Sequence, residues 1–140
     1  MQTSLRERLR WVLRVLLGLA MLGAGANHFL HAEFYEAIMP GYLPAHGLLV
    51  ALSGVAEIFI GALLLVRRTA EVAGWLSIAL LVAVFPANVN MALHPEQFPD
   101  LPVAGLYIRL PIQGLLVAWA WWCTRPAQAF PGAEEAVSGG

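Results

Sequence analysis

The chain has 140 residues, of which 59% are hydrophobic and only 12% charged; its formal net charge is −1 and its mean hydropathy +0.69. A soluble domain is typically about 45–50% apolar and about 25% charged. So few charges cannot cover a water-facing surface of this size, which excludes an ordinary soluble domain, a disordered chain and a nucleic-acid binder and leaves one small polytopic membrane domain.

Four apolar stretches follow in chain order: 12–30, 48–66, 72–93 and 103–123. Each is close to the roughly 20 residues that cross a hydrocarbon core about 30 Å thick. Backbone polar groups in lipid must be satisfied within the segment, so these stretches are expected to be helices, and the fold class is an all-α, four-helix membrane bundle. The alternation of a membrane β-barrel is absent. A basic start followed by Ala24-Gly25-Ala26 also has the outline of a cleaved secretory signal. The apolar run continues through Phe29 and Leu30, however, which a signal would not need.

The connections are short. In 31–47, Phe34, Tyr35, Ile38 and Met39 suit one side of a short interfacial helix that Pro40-Gly41 would end. Arg67 to Glu71 reads as a tight turn, and 94–102, with three prolines, as irregular chain. The tail 126–140 is small, acidic and Gly/Ser-ended, with nothing to bury, and is expected to be disordered. Every basic residue is an arginine. Arg6, Arg8, Arg10, Arg14, Arg67, Arg68 and Arg125 all fall on one side of a four-span topology. Positive residues stay cytoplasmic, so both termini are expected there, with 31–47 and 94–102 outside.

The chemistry-bearing residues gather toward the outer side. His28 and Asn27 end the first span, Glu57 lies about 15 Å into the second, Asn88 and Asn90 are near the outer end of the third, and Arg109 and Gln113 are in the outer half of the fourth. Ionisable groups at such depths are costly and face a bundle interior or a wet cavity. Gly18, Gly25 and His28 share one helix face, as do Ser53, Glu57 and Gly61, so the polar faces are also the close-packing faces. His28, Glu57, Asn88, Arg109 and Gln113 are therefore expected to line one pocket, with Glu57 and Arg109 as an ion pair. The plainer alternatives are that this pair only holds helices together, and that Asn88 and Asn90 cap backbone freed by Pro86. Four histidines raise the question of a metal, but no His-x-x-x-His pair exists and no metal site is assigned. Trp119, Trp121 and Trp122 beside Arg125 read as an interfacial anchor. The single cysteine, Cys123, excludes an internal disulfide and a dithiol relay.

Several segments resemble the DoxX-like family of small bacterial membrane proteins: Gly25-Ala26-Asn27-His28-Phe29, Ile38-Met39-Pro40-Gly41-Tyr42-Leu43-Pro44, Leu52-Ser53-Gly54-Val55-Ala56-Glu57-Ile58, Val84-Phe85-Pro86-Ala87-Asn88-Val89 and Arg109-Leu110-Pro111-Ile112-Gln113. The resemblance covers about residues 10–125. It implies a four-helix bundle in the bacterial inner membrane, related to membrane subunits of thiosulfate:quinone oxidoreductase and to methylamine-utilisation membrane proteins. The dithiol of some redox relatives is missing here. The expectation is a redox-associated membrane subunit, more an accessory than a self-sufficient enzyme, that binds a quinone or similar apolar ligand beside a redox partner or a second copy. A structural subunit without ligand and a small-solute carrier stand as alternatives. Four spans without an inverted repeat leave a carrier little room for alternating access.

Overall fold

The computed structural model describes residues 4–125, so the expectation of a disordered tail at 126–140 lies outside the described residues. Five α-helices follow one another: α1 Leu5–Leu30, α2 Ala32–Ala37, α3 His46–Leu65, α4 Ala70–Leu93 and α5 Val103–Thr124. Short 3-10 turns at Arg67–Thr69 and Pro95–Gln97 complete the order, and no strand occurs among the described residues. Four helices (α1, α3, α4 and α5) are long and apolar enough to cross a membrane. Their outer faces carry side chains such as Leu19, Phe59, Val82 and Leu115, all exposed, as suits a bundle solvated by acyl chains.

The long helices form a ring in which α1 packs on α3, α3 on α4, α4 on α5 and α5 back on α1. The tightest seam joins α1 and α3. A Cβ added at Gly25 would stand 2.6 Å from the Gly54 carbonyl oxygen, and one at Gly61 would stand 2.8 Å from that of Gly18. Backbones this close admit no side chain between them, which is why both helices carry glycine at a seven-residue interval. The pairing of Gly18 with Gly61 and Gly25 with Gly54 also makes the two helices antiparallel.

Helix α1 begins about two turns before the apolar run. Ser4 and Glu7 form a capping box: Ser4 Oγ accepts from the Glu7 N–H at 3.3 Å, and Glu7 Oε2 accepts from the Ser4 N–H at 3.1 Å. These two bonds satisfy first-turn donors and carry the helix out through the polar arginine stretch. The short helix expected in 31–47 is α2; Ile38 caps it, so it ends before Pro40-Gly41.

The core is divided between the two ends of the bundle. Leu17, Met21, Ile60, Leu64, Ala73 and Ala120 pack at the arginine end. Ile38, Met91, Phe98 and Leu106 pack at the other, joined by Phe34 of α2. The 94–102 connection is therefore not loose: Phe98 is buried, and Asn90 Nδ2 donates to the Ile38 carbonyl at 3.1 Å, tying the first connection to α4. At the arginine end, Trp119 Nε1 donates to the Leu13 carbonyl at 3.1 Å, and Arg125 lies 4.4 Å from the Trp121 ring centroid. Arginine on indole is a cation–π contact suited to an interfacial layer.

Candidate functional site

The glycine seam sets the site. Gly54 approaches α1 so closely that a Cβ there would stand 3.0 Å from His28 Cβ. Glu57, three residues on, then faces the His28 ring, with Oε2 3.1 Å from Nδ1. The same Nδ1 lies 3.0 Å from the Ala24 carbonyl oxygen. Both neighbours are acceptors, so Nδ1 carries the proton and the Nε2 edge of the ring is left over. Glu57 Oε2 is buried, and the Nδ1 it shares with the Ala24 carbonyl is the donor beside it.

Helix α2 closes over the pair. The Tyr35 ring stacks on His28 with centroids 3.8 Å apart, and its hydroxyl accepts from Asn27 Nδ2 at 2.8 Å. Asn27 Oδ1 in turn accepts from His31 Nδ1 at 2.9 Å. The short helix thus holds the imidazole flat against the bundle through a three-residue relay.

Across the cavity, Pro86 lies inside α4 and cannot donate to the Val82 carbonyl. Gln113 of α5 enters at the neighbouring turn. Its Nε2 donates to the Leu81 carbonyl, and its Oε1 accepts from Asn88 Nδ2 at 2.7 Å. Asn88 is thereby held with its own Oδ1 unspent. The plainer alternative, in which Asn88 and Asn90 cap backbone freed by Pro86, is not the arrangement formed: Asn88 holds Gln113, which itself bonds the Leu81 carbonyl, and Asn90 reaches the first connection.

The expected Glu57–Arg109 ion pair is also not formed. Glu57 meets His28, whereas Arg109 Nη1 has the Met91 sulfur at 3.8 Å. The reason is helix order: α3 and α5 sit diagonally in the ring, and the glycine seam commits Glu57 to α1.

His28, Glu57, Asn88 and Arg109 nevertheless come from four helices to one cavity of about 410 Å³. Arg109 is exposed at its mouth, Glu57 is nearly buried, and Gln113, which is not in the wall, sits buried behind Asn88. Tyr35 and Ser53 add hydroxyls, and Ile38, Met39, Leu43 and Val50 supply apolar surface. Ligand sites commonly have about 300–1,000 Å³, apolar walls and a few converging polar groups. The other histidines do not join it: His31 goes to Asn27, His46 Nε2 faces the Pro40 carbonyl at 3.1 Å, and His94 pairs with Glu96 at the surface.

Sequence reasoning missed Tyr35, which it treated only as an interfacial aromatic. The available signal was its place on a six-residue helix immediately after His28, where the chain must fold back over the end of α1.

No curated protein matches the chain, and no solved structure does. One family does match, over residues 17–124, which takes in α1 from Leu17 onward, the other three long helices and both connections around the cavity. The chain belongs to that family, described as a domain of unknown function (DUF8561).

Proposed function

We propose that this chain is a multi-pass subunit of a bacterial cytoplasmic membrane, with both termini inside, that holds an apolar molecule with a polar head in the cavity between α2 and the outer halves of the long helices. A quinone or quinol is the class that fits best. One observation carries this reading: polar groups from four helices line one largely apolar cavity, and Arg109 and Asn88 among them keep hydrogen-bonding capacity that their protein neighbours do not use. Arg109 offers donors at the mouth, while the Glu57 carboxylate and Asn88 Oδ1 offer acceptors inside. A head that carries carbonyl oxygens when oxidised and hydroxyls when reduced can use both kinds. Interhelical packing alone is served by hydrogen bonds contributing about 0.6–2 kcal/mol each, made between the helices themselves. The Asn88–Gln113 bond already does this, so the unspent groups favour a ligand over a purely structural subunit. The motif resemblance to DoxX-like proteins supports a redox setting and a redox enzyme as partner.

The test of the ligand is whether gently solubilised protein carries an apolar small molecule that Ser53→Phe, in the cavity wall, displaces. The orientation has its own test. The first turn of α1, the α3–α4 turn and the end of α5 share one end of the bundle, where the arginines lie. With Cys123 replaced by alanine, Gln97→Cys should react with an impermeant thiol reagent added outside intact cells, and Thr69→Cys should not. The reverse pattern would invert the topology.

A further inference from the structure

We propose that the arginine end of the bundle is a binding site for a phosphate group, separate from the outer cavity and independent of its ligand. The arginines do more there than fix topology. Arg8, Arg10, Arg14, Arg67, Arg68 and Arg125 come from α1, the α3–α4 turn and the end of α5 to line a single cavity of about 580 Å³. Only two glutamates, Glu7 and Glu71, share it, and Glu7 Oε2 is engaged by the Ser4 N–H of the capping box. A charge set that only marked the inner side would spread into solvent.

Here one member is drawn inside. Arg14 is only 8% exposed, and its Nε is buried with no hydrogen-bond partner. The Arg10 Nε is in the same state, its guanidinium 5.5 Å over the Trp122 ring. Among the described residues no carboxylate lies within salt-bridge distance of Arg10, Arg14, Arg67 or Arg68. Buried guanidinium groups are ordinarily paired, and their planar fork matches phosphate oxygens in a bidentate way. A tetrahedral dianion or phosphodiester in the cavity would accept from the guanidinium groups that line it. Basic pockets between membrane helices on the cytoplasmic side hold lipid phosphates by the same chemistry. The phosphate belongs either to an anionic lipid headgroup or to a soluble phosphate compound, and Trp11 in the cavity wall suits the former through its interfacial ring.

The test uses full-length protein in nanodiscs of phosphatidylcholine containing a small fraction of phosphatidylglycerol, with bound lipid counted by native mass spectrometry after release into detergent. Phosphatidylglycerol should be enriched in the retained lipid. Arg14→Gln should reduce that enrichment about fivefold, and Arg67→Gln with Arg68→Gln, two exposed side chains on the α3–α4 turn, should reduce it further by about fivefold per arginine. Arg6→Gln removes the same charge from the same helix end but from outside the cavity, and should leave the enrichment unchanged. Millimolar inorganic phosphate that displaces the lipid would identify a site open to soluble phosphate, and lipid retained against it would identify a headgroup site; either supports the proposal. Equal losses in Arg6→Gln and in the turn variant, or no enrichment in the wild type, would overturn it.

Discussion

Replacing Arg109 by leucine should weaken binding of a short-tailed benzoquinone analogue by roughly 10–100-fold, since a hydrogen bond from a charged donor contributes about 1.5–3 kcal/mol. Arg109 sits at the cavity mouth, and among the described residues its hydrogen-bonding contact is the Met91 sulfur at 3.8 Å. Its loss therefore removes a ligand contact without breaking a structural one. The variant should insert normally and melt near the wild-type temperature. Glu57→Gln should act differently. It keeps the shape of the side chain and removes the charge beside His28, so binding of the reduced, hydroxyl-bearing form should fall more than that of the oxidised form. Tight binding preserved in both variants, measured by equilibrium titration in nanodiscs, would assign these residues to packing alone.

The second large effect is on stability. Gly25→Val should disrupt the α1–α3 seam, because even its Cβ would stand 2.6 Å from the Gly54 carbonyl oxygen and 2.8 Å from Ile58 Cγ1. Backbone on the facing helix cannot swing aside as a side-chain end can, so the helices must separate, and the cost is expected at or above the about 1–3 kcal/mol of ordinary overpacking. Gly23→Val is the internal control, two residues away, where an added Cβ meets nothing within 4 Å. Thermal unfolding in detergent should show a large drop for the first and little change for the second. Because the seam also sets His28 against Glu57, Gly25→Val should lose ligand binding along with stability.

The contrast between these positions shows what could be read from the chain. Four apolar runs of spanning length, and seven of the eight arginines at alternate ends of those runs, were legible because lipid would impose length and charge rules on each segment separately. Position along each run was legible too, and it brought His28, Glu57, Asn88 and Arg109 to one part of the bundle, where the structure gives them a common cavity. Neighbour order was not. Glu57 and Arg109 looked like partners by charge and depth, but charge says nothing of which helices are diagonal in the ring. The matched intervals Gly18–Gly25 and Gly54–Gly61 held that information, since only adjacent helices profit from facing glycines at equal spacing. Gln113 was expected in the cavity wall and lies behind it, because its amide is taken up by α4, bonding the Leu81 carbonyl and Asn88. The early start of α1 was also written in the chain, as Ser4 and Glu7 three residues apart.

The most direct measurement is native mass spectrometry of gently solubilised wild-type protein beside Ser53→Phe, with the released small molecules identified. The wild type should carry one apolar molecule with an oxygen-bearing head per chain. Ser53→Phe, which places a ring in the cavity, should run at the protein mass alone while melting within a few degrees of the wild type. A wild-type chain that arrives bare, or an adduct that persists unchanged when the cavity is filled, would contradict a ligand site between these helices.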